Sequence, residues 1–179
     1  MVQVALDAPA ALEVIERIAS EAPDIIVGAG AVTDVAQPAL ACAAGAEFLI
    51  ATAAGAPLRT AMRETELPHL PGVATTLEAI DAVNDGYTDM VLHPAAALGG
   101  LRHLRTLAAF VPGARFAAAG GVSAADLSGY LAAPNVGCVV ADWLAPADAV
   151  RRHDWDRIHR LADVAVKLST PTVSAVRAL

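Results

Sequence analysis

The sequence predicts an α/β protein: a TIM-type (β/α) barrel of about seven strands, lacking the first βα unit. Three observations predict it. Short apolar runs alternate with amphipathic stretches at a nearly regular interval along all 179 residues. Single helices between strands imply parallel pairing through right-handed crossovers. Turn residues collect just after the apolar runs, where such a barrel carries its chemistry. Eight units would fill roughly 250 residues, so this chain is about one unit short, and the shortfall lies at the front.

The elements follow in order. A strand, Val2–Leu6, opens the chain, with Asp7 ahead of Pro9 as a cap for a helix over Ala10–Ser20. In that helix Ala11, Leu12, Ile15, Ile18 and Ala19 recur on one face, while Glu13, Glu16 and Arg17 point away. The second strand, Ile25–Val27, ends at Gly28-Ala29-Gly30, and a helix over Val35–Ala44 stops at the turn Ala44-Gly45. Strand Phe48–Ala51 then precedes helix Leu58–Glu64, and His69–Leu70 leads into Pro71-Gly72-Val73. Thr75 and Glu78 form a capping box for helix Leu77–Asn84. Met90–Leu92 runs into His93-Pro94 and helix Leu101–Phe110. Phe116–Ala118 runs into Gly120-Gly121-Val122-Ser123, and Ser123 with Asp126 opens a helix over Ala124–Leu131. The last strand, Cys138–Val140, meets Asp142-Trp143-Leu144. A final helix spans Asp154–Leu168, so one domain, 1–168, is followed by a loosely held tail, 169–179.

Composition excludes several function classes. With 56% hydrophobic and 17% charged residues the chain can build a core, which rules out disorder. A net charge of −7 and few aromatics (4%) argue against nucleic acid and anionic membrane as partners. The Ala39–Leu58 stretch is Ala/Gly-dominated and holds Glu47, which reads as a helix end, a turn and a buried strand rather than a membrane span. Cys42 and Cys138 lie far apart without metal-ligand spacing and read as small buried hydrophobes in a reducing compartment. Met1–Asp7 has no basic region and meets a carboxylate too early for a secretory signal, so the expected location is cytoplasmic. Alanine supplies 43 residues, and Arg supplies 11 of the 12 basic ones, leaving Lys167 as the only lysine.

The motif order Ile26-Val27-Gly28-Ala29-Gly30, Ala44-Gly45-Ala46-Glu47-Phe48, Leu70-Pro71-Gly72-Val73, Pro94-Ala95 with Gly99-Gly100, Gly120-Gly121-Val122-Ser123, and Trp143-Leu144 has a counterpart. It resembles the 2-keto-3-deoxy-6-phosphogluconate / 4-hydroxy-2-oxoglutarate aldolases from Val2 to about Lys167. The resemblance implies a trimeric barrel that cleaves an aldol to pyruvate and an aldehyde without a cofactor. A buried lysine would form a Schiff base and a glutamate would shuttle protons. An arginine and a threonine would hold the carboxylate, and backbone amides with a serine would hold the phosphate.

Carried over position by position, that apparatus is largely replaced. The lysine position is Val91, the glutamate position on the first strand is Gln3, and the arginine four residues later is Asp7. The threonine before the paired glycines is Ala119, the glutamate shortly after Pro94 is Ala96, and the Gly-Gly-Ser of the second phosphate half-site is Val140-Ala141-Asp142. Valine has no nucleophile, and Asp7 and Asp142 repel anions where a cation and a hydroxyl would attract them. No catalytic residue is therefore expected, and Lys167 lies on the outer ring. Ligand capacity is expected at Gly120, Gly121 and Ser123, for a small keto acid or other small anion, although the glycine pair also reads as a tight turn between strand and helix.

Asp7, His93 and Asp142 are polar groups expected at the barrel mouth, by two-residue alternation from Gln3 and Val91 for the first two. They read as an acid–base or metal set, or as two caps and a backbone-bonded histidine, and the second reading is preferred, with no metal. His69 reads as structural, His103, His153 and His159 as surface residues, and His153/Asp154/Asp156 as a helix start. Alanines at 95–97 and 117–119 fit a packed mouth or a filled interior. The expected function is an inactive aldolase-like binding or regulatory protein. Two alternatives are an oligomeric scaffold with an empty pocket and a lyase of altered mechanism acting on small keto or sugar acids.

Overall fold

The computed structural model describes residues 1–169. The tail expected over 169–179 falls outside them, except that Ser169 is the last residue of the final helix. The chain alternates strand and helix in the expected order: β1 (Val2–Ala5), α1 (Ala11–Glu21), β2 (Val27–Val32), α2 (Gln37–Ala43), β3 (Leu49–Ala51), α3 (Ala56–Glu64), β4 (His69–Leu70) and β5 (Gly72–Val73). The second half follows as α4 (Thr76–Asn84), β6 (Asp89–Leu92), α5 (Leu101–Phe110), β7 (Arg115–Ala119), α6 (Leu127–Leu131), β8 (Val136–Val140), α7 (Ala147–Arg151) and α8 (Trp155–Ser169).

All strand pairs are parallel, β1-β2-β3-β4 in one sheet and β5-β6-β7-β8 in the other. Only Pro71 separates β4 from β5. The first pairs with β3 and the second with β6, so one interrupted strand links the two sheets. This gives the seven strand positions read from the sequence. Among the described residues β1 and β8 have no partner on their outer edges.

Side chains alternate across β3, β6 and β7, as a parallel sheet with helices outside requires, while β2 is irregular between Ala29 and Val32. Leu49 and Ala51 join the core under α1, α2 and α3 with Ile15, Val27 and Met62. Met90, Leu92, Phe116 and Ala118 join a second core with Leu104, Leu107 and Tyr130. The opposite face holds a third cluster, built from Ile50, Val91, Ala117 and Ala119 with Phe48, Leu70 and Val140 packed against it. Burying these faces is the main favourable term for the fold.

The second strand begins two residues later than expected and runs to Val32, so Gly28-Ala29-Gly30 lies within β2 rather than after it. A Cβ at Gly28 would overlap the Phe48 ring, and one at Gly30 the Gln3 side chain. These glycines make room on the inner face, which is why the motif looked like a turn. The capping box of α4 forms as read: the Thr75 hydroxyl accepts from the Glu78 amide (3.3 Å), and Glu78 accepts from the Thr75 amide (2.8 Å). Asp7 caps nothing, because α1 starts after Ala10 without a side-chain cap. Ser123 and Asp126 are bonded reciprocally, but in the turn before α6, which starts only at Leu127. Asp154 opens α8 by accepting from the Arg157 amide (3.0 Å). Cys138 is exposed on β8 and Cys42 half-buried, so neither is the buried residue expected. Among the described residues no helix is long and apolar enough to cross a membrane.

Candidate functional site

Val91, which the resemblance puts at the Schiff-base position, lies on the inner face of the wall. Val91, 1% exposed, sits in register with Gly72 on β5 and Ala117 on β7, inside the cluster with Ile50 and Ala119. The cluster around it is hydrocarbon, and the side chain itself is no amine. Of the two sequence-level readings of Ala117–Ala119, two of the three alanines fill the interior, while Ala118 turns outward into the helix-side core. Gln3 stands on exposed β1 with its side chain against Gly30. Lys167 is exposed near the end of α8.

At the strand ends, His93 follows β6 and its ring lies against Gly120, where a Cβ would come within 3.0 Å of it. Among the described residues its imidazole makes no hydrogen bond, unlike the backbone-bonded histidine expected. The loop it opens is fastened to the loop after β7, because the amides of Ala95 and Ala96 donate to the carbonyls of Ala119 (2.7 Å) and Gly120 (3.1 Å). Gly120 and Gly121 take φ of +86° and +76°, a left-handed pair that L side chains rarely adopt. The glycine pair thus serves as the tight turn read from the sequence.

Asp7 and Asp142 are both exposed, and neither carboxylate has a partner among the described residues. Asp142 begins the 3-10 turn Asp142–Leu144 without acting as its side-chain cap. No group of three or more His, Cys, Asp or Glu residues that could hold a metal ion occurs among the described residues, so Asp7, His93 and Asp142 are not gathered into one set. His69 bonds the Leu67 carbonyl (2.7 Å) and the Tyr87 hydroxyl (3.0 Å), which is the structural role read for it. His103, read as a surface residue, is instead half-buried and bonds the Ala74 carbonyl (2.9 Å).

The loop after β7 and the turn after β8 enclose a cleft of about 520 Å³, bordered by Gly121, Ser123, Asp142, Trp143, Arg157 and Leu161. Of the three ligand residues expected, Gly121 and Ser123 line it and Gly120 does not. Ser123 is already committed, since its hydroxyl donates to Asp126 Oδ2 at 2.6 Å. Arg157, which the sequence reading passed over, reaches the cleft from α8 and is paired with Asp148 at 2.7 Å. That hydrogen bond, opposed by desolvation and helped by the guanidinium charge, holds the Asp148 carboxyl below its ordinary range. The available signal was the Asp154 cap, which places Arg157 on the first turn of α8.

A parallel wall with helices outside defines the class of (β/α)-barrel folds, and solved structures narrow it. The chain superposes on the KDPG aldolase of Legionella pneumophila, with pyruvate captured at low pH as a covalent carbinolamine intermediate, with a TM-score of 0.86 at 33% identity, covering 92% of this chain and 79% of that one. A 2-keto-3-deoxy-6-phosphogluconate aldolase of Zymomonas mobilis gives 0.87 at 32% identity, covering 96% and 81%. In sequence the chain is 40% identical over 166 residues to the 2-dehydro-3-deoxy-phosphogluconate aldolase of Pseudoalteromonas atlantica, covering 93% of this chain and 77% of that protein. The family model "KDPG and KHG aldolase" matches residues 1–161. The chain belongs to the KDPG and KHG aldolase family.

Proposed function

We propose that this family member is a catalytically inactive aldolase-like protein that binds a small keto acid or another small anion in a binding or regulatory role. The observation that carries the reading is Val91. It lies 1% exposed among Ile50, Ala117 and Ala119, where the resemblance asks for an amine. Class I chemistry starts with a deprotonated amine attacking the keto carbon, and hydrocarbon cannot do so. The chain's single lysine is exposed on α8. Gln3 can donate and accept a hydrogen bond but cannot carry a proton away, so the shuttle step lacks its base too. The protein works as a homo-oligomer, a trimer by family resemblance, in the cytoplasm.

A scaffold reading has its own support. The inner face carries Phe48, Ile50, Leu70 and Val91, an apolar lining that gives a keto acid no charged partner, and an assembly role needs none.

Borohydride reduction in the presence of pyruvate, read by intact mass, tests inactivity. The expected result is no mass increase. A pyruvate-sized increase mapped to Lys167 would overturn the proposal, because it would show an amine working from the outer ring. An adduct at the N-terminal amine alone would overturn it equally. Sizing and ligand-dependent thermal shifts then separate the two readings. Stabilisation by a small keto acid supports the binding module, whereas a defined oligomer without such stabilisation supports the scaffold.

A further inference from the structure

We propose that residues 170–179 occupy the open lane between β8 and β1 as an eighth strand, parallel to both. The wall has seven of the eight strand positions of a closed barrel, and the two strands that border the gap are the open ones. Val2, Gln3 and Ala5 of β1 and Gly137 and Cys138 of β8 are exposed, whereas β3 is buried throughout. The amides of Val2 and Leu6 donate to the carbonyls of Ile26 and Gly30 (both 2.9 Å). By two-residue alternation Gln3 and Ala5 therefore turn their N–H and C=O groups to the open side. An edge of this kind is a template for one more strand.

Connectivity directs this chain's own end to that lane. Every crossover along the chain advances one position along the wall in the same direction, as right-handed crossovers do. Helix α8 packs beside α6 in the outer layer, where the Ser128 hydroxyl donates to the Leu168 carbonyl (3.1 Å). A strand following α8 in the same sense lands on the free edge of β8. Ten residues remain after Ser169, enough to reach about 33 Å when extended. A strand the length of β1, four residues, takes up about 13 Å of that, and the rest covers the return to the start of the wall. Pro171 favours a stop to α8. Thr172, Val173 and Val176 are β-branched, and Val173, Ala175, Val176 and Ala178 give small apolar side chains to both faces, as a covered parallel strand needs. A second copy fits less well: its edge strand, with its own sheet behind it, can pair with β8 or with β1 but not with both.

Cys138 reports on the lane, and Cys42, half-buried on α2, is the control. Iodoacetamide labelling at constant pH, read by peptide mapping, compares the full chain with one ending at Ser169. Loss of the segment should speed Cys138 labelling by about tenfold or more, the scale of protection that a docked edge provides, while the Cys42 rate stays unchanged. A synthetic peptide of residues 170–179 at about millimolar concentration, comparable to the effective concentration of a short tether, should restore the slow rate. Equal Cys138 rates in the two chains would overturn the proposal. Hydrogen exchange on the unaltered chain decides the matter even where the shortened one fails to fold: the Gln3 and Ala5 amides should exchange slowly at every protein concentration. Exchange at the rate of an unstructured peptide would overturn the proposal, and protection lost on dilution would overturn it in favour of a second copy.

Discussion

At Val91, the position that the family resemblance gives to the Schiff-base lysine, the proposed inactivity rests on one side chain. A lysine there would have to bring its ammonium into the cluster of Ile50, Ala117 and Ala119, and desolvation would push its pKa down. Val91→Lys is therefore expected to cost about 2–4 kcal/mol of stability, because hydrocarbon offers the charge nothing. The amine it introduces would be largely neutral and so nucleophilic. Borohydride should trap pyruvate in V91K and not in the unaltered chain, while aldol cleavage stays absent because Gln3 cannot act as the base. Intact mass and a pyruvate-release assay check the two halves. Cleavage by V91K alone would show that some other group moves the proton. Ile50, on β3, tests the packing of the same cluster: Ile50→Ala leaves a cavity there and should cost about 2–4 kcal/mol in chemical denaturation. A loss below about 1 kcal/mol would mean the inner face is looser than its burial implies.

Single elements show why some of this was legible in the sequence and some was not. The α4 capping box could be read because its bonds are local, three residues apart. The same holds for the helix start at Asp154, while the strand–helix order up to β8 follows from periodicity and the short helix α7 was missed. The extent of β2 could not be read in that way, since Gly28 and Gly30 answer to Phe48 and Gln3 on neighbouring strands rather than to a local turn. Arg157 and His103 escaped for the same reason, as their partners, Asp148 and the Ala74 carbonyl, come from other elements. The seven strand positions were visible, whereas the convergence of Asp142, Trp143 and Arg157 on one cleft needed the fold. The α4 box also carries a pH dependence. Burial alone would raise the Glu78 carboxyl, but bonds from the Ala74 and Thr75 amides and the Thr75 hydroxyl more than offset it, leaving Glu78 below its ordinary value. A depressed carboxyl stabilises the fold above its unfolded pKa, and that contribution is lost as pH falls through the folded pKa. Thr75→Ala should therefore cost about 1 kcal/mol at neutral pH and appreciably less once Glu78 is protonated in both states. Equal losses in thermal melts at neutral and strongly acid pH would contradict it.

Across the whole molecule the two halves have separate helix-side cores, one around Ile15, Leu49 and Met62, the other around Phe116, Leu104 and Leu107. Among the features that join them are the strand interrupted at Pro71, the shared inner cluster, the His69–Tyr87 hydrogen bond and a polar clamp around Arg59. Arg59, 8% exposed, leaves α3 to donate to Asp85 Oδ2 (2.8 Å, from Nε) beyond the end of α4 and to the Ala54 carbonyl (2.6 Å). Arg63, one turn further along, lies over the Tyr87 ring at 4.6 Å and donates to the Asp85 carbonyl. The clamp thus ties α3, in the first half, to the α4–β6 junction in the second. Arg59→Ala removes the buried donor and leaves the Ala54 carbonyl and Asp85 without it, at an expected cost of about 2–3 kcal/mol, moderated by the partial exposure of Asp85. Cooperativity should suffer more than the total. Both tryptophans, Trp143 and Trp155, lie in the second half, so their fluorescence reports that half while circular dichroism reports helices in both. The unaltered chain is expected to give coincident denaturation curves, as a single cooperative unit does. In R59A the dichroism midpoint should separate from the fluorescence midpoint as the halves begin to unfold apart. Curves that stay superimposed in R59A would assign the coupling to the Pro71 strand and the inner cluster instead, and Ile50→Ala would then be the variant that splits them.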